Sequence, residues 1–265
     1  MRHVKISRKI LAAALRTALG VCHAQSVHAQ SVDPKEPAFS DTTQWWLGAG
    51  VGTMRSPYRG VSNRTDPLPF ILYESRYVHF FGSTVDLKLP AVDNLGFTLR
   101  AKYLPMEGYK SNYSDALNGM DTRRGSIWLG PTGTWRAPYA KLSLEWLTDA
   151  SGNSKGNTLK LGIDRAFQYG RYTLTPHAGA TWMDSKYVDY YYGVKSSEVT
   201  ASRPLYAGKS TTDIEAGLRT DYALTRNQLV LIDLTDIRRG TGITDSPLVD
   251  KSSSFSIRVG YLYKF

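Results

Sequence analysis

The sequence predicts an all-β protein: an antiparallel transmembrane β-barrel of twelve strands, with ten as the alternative, following a cleaved signal peptide. Three observations predict it. Apolar and polar residues alternate with a period of two over runs of about 9–13 residues, nearer the length of a tilted bilayer-spanning strand than the ~5–6 of an ordinary one. No stretch of 18 or more uncharged apolar residues occurs, which excludes a membrane-spanning helix and leaves a barrel untouched. The chain also opens on an export signal.

That signal is read from residues 1–29. Arg2, Lys5, Arg8 and Lys9 precede the apolar Ile10-Leu11-Ala12-Ala13-Ala14-Leu15, and small residues then offer cleavage after Ala24 or after Ala29. Cys22 lies inside this segment, so the mature chain has no cysteine and neither disulfides nor a thiolate metal site. Residues 30–43 are polar and punctuated by proline, as expected of a flexible periplasmic lead-in. The barrel is expected over residues 44–265.

Composition agrees. The 265 residues include 17 Tyr, 6 Trp, 8 Phe and 23 Gly, a balance that favours sheet and tight turns over helix. The net charge of +10 falls to +5 once residues 1–29 are removed, with no basic run longer than pairs such as Arg123-Arg124. A nucleic-acid partner is therefore not expected, since its footprint is a denser basic face.

Strand-like runs stand at 44–54, 68–75, 77–89, 94–105, 123–135, 138–149, 156–167, 171–184, 212–224, 227–236 and 253–265. In the 94–105 run, Leu95, Phe97, Leu99, Ala101 and Tyr103 alternate with Gly96, Thr98, Arg100 and Lys102; in the 212–224 run, Ile214, Ala216 and Leu218 alternate with Asp213, Glu215 and Arg219. These eleven runs are an odd number, whereas single-chain bacterial barrels use even ones. Short connections (136–137, 168–170, 225–226) and long ones (106–122, 150–155, 185–211, 237–252) alternate from residue 94 onward. One more strand between residues 68 and 90 satisfies both rules, and the stretch YVHFFGSTVDLKLP supplies it by folding as two short strands about Gly82. Aromatics near strand ends (Trp45, Trp46, Tyr103, Trp135, Tyr139, Trp146, Tyr172, Trp182, Tyr263, Phe265) suit the two interfacial girdles.

In a membrane barrel the apolar face meets lipid and the polar face lines the lumen. Candidate lumen residues are Arg100, Lys102, Lys160, Asp164, His177, Asp213, Glu215, Arg219 and Arg258. Their mixed signs allow pairing across the interior that nearly closes it, which favours a structural or interaction protein over a wide pore; mixed charge also lines selective channels.

No chemistry announces itself. After signal removal only His79 and His177 remain, and no G-x-S-x-G, H-E-x-x-H or P-loop pattern occurs. No catalytic residue, cofactor or metal is expected. Residues 151–157 (SGNSKGN) lack the glycine spacing of a phosphate loop and read as a turn. The aromatic cluster DYYYGV (189–194) reads as loop packing or girdle, or else as a contact surface on an exposed loop.

Several stretches together resemble the MipA/OmpV family of MltA-interacting outer-membrane proteins. They are Gly48-x-Gly50-x-Gly52 leading to Ser56-Pro57-Tyr58-Arg59-Gly60, then Pro67-Leu68-Pro69-Phe70 and Tyr73. Mid-chain stand Asp149-Ala150-Ser151-Gly152-Asn153-Ser154-Lys155-Gly156 and Pro176-His177-Ala178-Gly179-Ala180-Thr181-Trp182-Met183-Asp184, followed by Tyr187 and Tyr191-Tyr192-Gly193-Val194. Asp245-Ser246-Pro247-Leu248-Val249 and the terminal Gly260-Tyr261-Leu262-Tyr263-Lys264-Phe265 complete the set. Arg59 departs from the acid the family often has there. The resemblance implies a non-enzymatic barrel in the Gram-negative outer membrane, in contact with its lipid and lipopolysaccharide. It implies a scaffold that joins a lytic transglycosylase to a bifunctional murein synthase during peptidoglycan growth, with a narrow solute channel or an adhesin as alternatives. It also implies that Tyr261, Tyr263 and Phe265 form the terminal signal read by the barrel-assembly machinery.

Overall fold

The computed structural model describes residues 43–104 and 107–265. The expected signal peptide and all of the lead-in but Thr43 lie outside them. The strands are β1 (Gln44–Met54), β2 (Arg64–Glu74), β3 (Val78–Phe81), β4 (Thr84–Val92), β5 (Leu95–Tyr103), β6 (Ile127–Arg136), β7 (Lys141–Asp149), β8 (Asn157–Asp164), β9 (Phe167–Tyr169), β10 (Tyr172–Met183), β11 (Thr211–Ala223), β12 (Gln228–Arg238) and β13 (Ser253–Lys264). All are antiparallel to their neighbours, β13 pairs with β1, and the β10–β11 ladder closes the ring. β8 and β9 both pair with β10 and form one wall position interrupted at Arg165-Ala166, so the closed wall has twelve positions.

The even count is met where the sequence placed it. Gly82, at φ +61°, turns the chain between β3 and β4, a backbone conformation glycine adopts without steric cost. β2 begins at Arg64 rather than 68, because Pro67 and Pro69 lie within the strand and do not end it.

The protein is inside-out. Leu47, Leu144, Trp146, Leu161 and Ile163 point outward and are about half exposed, as a lipid-facing band requires. Trp45, Trp135, Tyr139 and Trp182 are likewise exposed. Trp46 departs from the expected girdle: it shares the inner face with Gly48 and Gly50, packs against Leu72 and Leu262, and carries Lys264 over its ring at 5.6 Å. With consecutive residues on opposite faces, Trp45 and Trp46 cannot both meet lipid.

The largest buried cluster lies at the long-loop end. Tyr58 and Val61 from the β1–β2 loop meet Tyr109, Leu117 and Met120 from the β5–β6 loop, and Ile243, Leu248 and Val249 from the β12–β13 loop. Helix α1 (Ser185–Tyr192) contributes Tyr187, Val188, Tyr191 and Tyr192, and the short helix α2 (Thr241–Thr244) contributes Ile243. Inward-facing Trp128, Leu147 and Met183, at the loop ends of β6, β7 and β10, join them. The long loops therefore pack on one another and on the upper inner wall as a lid over that mouth of the barrel.

Candidate functional site

The inner wall divides into a charged arc and an apolar strip. On the charged arc, Arg100 donates from Nε and Nη2 to the two carboxylate oxygens of Asp86, both at 2.7 Å, and from Nη1 to Glu145. A guanidinium held in this forked way is fixed in orientation as well as neutralised. Lys102 Nζ stands 3.9 Å from Glu145, Lys160 donates to Glu215 at 2.6 Å, and Lys141 lies 3.4 Å from Asp164. Asp233 receives Arg258 at 3.1 Å and faces His177 Nε2 at 3.5 Å; Arg219 pairs with Asp221 at 2.9 Å. Asp213 accepts from Arg239 Nη1 at 2.7 Å and from the Gly240 N–H at 2.9 Å.

Among the described residues, these pairs do not cross the bore. Each of these partners on another strand sits on a neighbouring or next-but-one wall strand. Twelve strands about 4.8 Å apart, tilted about 40°, enclose a ring about 24 Å across between backbones. Two long side chains reach over one intervening strand but not from wall to wall. The expected plug of ion pairs is instead a charged lining.

The apolar strip comprises Trp46, Leu68, Phe70, Leu72, Phe81, Leu229, Leu231 and Leu262. Phe70 stacks on Phe81 at 5.6 Å between centroids, and its ring lies over Gly50 and Gly260, where an added Cβ would stand 2.4 Å away. The sequence carried a signal for this strip: Leu68-Pro69-Phe70-Ile71-Leu72 and Leu229-Val230-Leu231-Ile232 are apolar on both faces, as strands buried on both sides are.

The lid closes the long-loop mouth through polar contacts as well as packing. Arg123, 4 % exposed, donates twice from Nη2 to the carboxylate of Glu198, 3 % exposed, at 2.9 Å, and from Nε to the Tyr190 carbonyl at 2.7 Å. Arg203 ties the 195–206 segment to the β5–β6 loop by donating to the carbonyls of Ala116 and Asn118. Tyr58 OH donates to the Tyr191 carbonyl at 3.1 Å, and Ser246 Oγ to that of Tyr192 at 2.6 Å. Glu107 accepts from Trp128 Nε1 at 2.9 Å, Tyr187 OH at 3.1 Å and Tyr191 OH at 3.2 Å. Burial raises the Glu107 carboxyl above its usual range against those three donors, and burial pushes the Tyr187 and Tyr191 hydroxyls up as well.

DYYYGV is therefore loop packing, with Tyr191 1 % and Tyr192 6 % exposed, not an exposed contact surface. Its helix is begun by Asp184, whose carboxylate caps the Tyr187 N–H at 2.9 Å. SGNSKGN is a turn wound on Asp149, which accepts from the backbone of Ser151, Ser154 and Lys155. At the opposite end of the barrel, outward-facing Tyr261, Tyr263 and Phe265 are 40 %, 39 % and 71 % exposed. Glu74 there gathers His79 Nδ1, at 2.5 Å, and Lys88. Among the described residues no three His, Cys, Asp or Glu side chains are grouped to hold a metal ion.

Comparison with known proteins places this architecture. The family profile described as MltA-interacting protein MipA matches residues 47–265. The MltA-interacting protein of Escherichia coli K12 is 28 % identical over 267 residues, covering 98 % of this chain and 99 % of its own. The putative outer membrane protein YiaT of the same organism is 26 % identical over 230 residues, 86 % of this chain and 94 % of its own. Outer membrane protein OmpV of Vibrio cholerae is 27 % identical over 188 residues, 70 % of this chain and 69 % of its own.

Proposed function

Starting from the finding that the chain belongs to the MipA family of outer-membrane proteins, we propose that it is a non-enzymatic scaffold in that membrane, bringing a lytic transglycosylase and a bifunctional murein synthase together at the cell wall. The observation that carries the reading is the lid. A mouth filled by a packed aromatic cluster, with Trp128, Tyr191, Val188 and Leu117 essentially inaccessible, suits a barrel that works through its surfaces better than one that works through its bore. The E. coli relative named for interaction with MltA supports the transglycosylase as partner. Docking would fall to the short-turn end, where both strand termini of the ring emerge and which faces the periplasm in bacterial barrels. Tyr261, Tyr263 and Phe265 at that end would serve barrel assembly.

The test is a pull-down in which the refolded barrel, immobilised in detergent, is exposed to periplasmic and membrane extract. Specific retention of a lytic transglycosylase and a murein synthase is expected. Retention of neither, with a control partner retained by a known scaffold under the same conditions, refutes the reading.

A further inference from the structure

The β3–β4 hairpin stops short of the loop-side rim. β3 has four residues, and its last, Phe81, lies opposite Leu72, near the short-turn end of β2. From Arg64 to Phe70, β2 pairs with β1 on one edge and with no described strand on the other. β4 starts at Thr84, opposite Lys102, and β5 ends one residue later at Tyr103. The chain then turns into the mouth, where Leu104 packs on the lid. The wall thus has a side window two strands wide, with the Gly82-Ser83 turn as its sill. Its upper frame is the β5–β6 loop, where Ser114 Oγ donates to the Arg59 carbonyl at 2.8 Å and the Tyr113 ring lies 5.6 Å from the Arg64 guanidinium. A cavity of about 340 Å³, bounded by residues 61–66 and Tyr113, occupies this corner.

The free edge has a specific chemistry. The Gly82 N–H donates to the Ile71 carbonyl at 3.1 Å, so the backbone groups of Ile71 and of every second residue above it face the window. Those residues are Pro69, Pro67 and Thr65. Proline has no N–H, and proline on an edge blocks the addition of another strand. The window therefore offers almost no backbone donor, which makes it a poor seat for an added peptide strand, while the carbonyls of Thr65, Pro67 and Pro69 need water or a polar group beside them. Its outward frame is apolar (Ile71, Tyr103), and Leu68, Phe70 and Phe81 stand directly inside. The Arg59 backbone and Arg64 stand above it; Arg64 Nε lies 3.9 Å from Asp66, and an anion there would share the guanidinium with the partners it already has.

We propose that this window is a binding site for one acyl chain of a phosphate-bearing lipid of the outer leaflet. The chain enters the wall between the proline edge of β2 and Tyr103, and the phosphate lies at Arg59 and Arg64. This rests on the barrel spanning the outer membrane and is independent of the scaffold reading.

The test uses the full chain carrying Cys22→Ser, refolded into bilayers of phosphatidylglycerol bearing a nitroxide on its acyl chain. An environment-sensitive fluorophore is attached at Thr84→Cys, on the inner face beside the sill, or at Thr181→Cys, on the inner face of the far wall. Retained heat-modifiable migration on unheated gels certifies that each variant is folded. Several-fold stronger quenching at position 84 than at 181 is expected, falling when Arg64→Gln is added. Equal quenching at the two positions overturns the site, and quenching indifferent to Arg64→Gln overturns the placement of the phosphate.

Discussion

Replacing Arg123 by Met should release the lid while leaving the wall intact. Arg123 is buried between the Tyr109 and Tyr190 rings and makes two hydrogen bonds to Glu198 and one to the Tyr190 carbonyl. The substitution keeps much of the side-chain volume and strands the Glu198 carboxylate, which would retain only the backbone N–H groups of Asp121 and Lys195 at 2.9 Å. Removing one member of a buried ion pair costs about 3–5 kcal/mol. The lid's opening constant should then rise roughly a hundred- to a few-thousand-fold, since each 1.4 kcal/mol is about tenfold. Proteolysis within residues 195–206 reads that constant directly when reclosing outpaces cleavage. The wall closes through strand ladders that do not involve Arg123, so heat-modifiable migration should persist. An unchanged cleavage rate, or a wall that melts together with the lid, refutes the reasoning.

Three further outcomes are expected. Gly260→Ala should cost about 1–3 kcal/mol in urea unfolding from detergent, because its new methyl meets the Phe70 ring, and Phe70→Leu in the same chain should recover part of that loss. Burial holds the Glu107 carboxyl above the value of about 4.3 it would have in an unfolded lid; the folded lid therefore binds that proton more tightly, and its stability should be full below the unfolded value and decline as pH rises through the folded one. Protease protection of the loops measured against pH should show this decline, and Glu107→Gln should flatten it. Deleting Phe265 should lower the amount of assembled protein in cells several-fold while leaving refolding into detergent unchanged, which separates recognition by the assembly machinery from stability.

The wall was legible because a strand's chemistry is local: period two sorts each side chain to one face, and the even-strand rule with Gly82 located the hairpin the alternation blurred. The same locality hid the rest. Arg123 and Glu198 lie 75 residues apart, and nothing in either segment names its partner. The lid helix could have been found, since Tyr187, Val188, Tyr191 and Tyr192 follow Asp184 at helical spacing; the run of aromatics pointed to girdle, loop packing or contact surface without naming a helix. Pro67 stood just outside the run read at 68–75 and Pro69 inside it, and both lie on the strand's free edge. The direction of charge pairing was beyond the sequence, because it depends on the barrel's width.

Single-channel conductance of the refolded chain in a planar bilayer tests most directly whether function resides in the surfaces or the bore. A lid packed as described predicts no steady open conductance from the intact chain, with open steps appearing in Arg123→Met. Steady porin-like steps from the intact chain would contradict the capped barrel, and the scaffold reading would lose the observation that carries it.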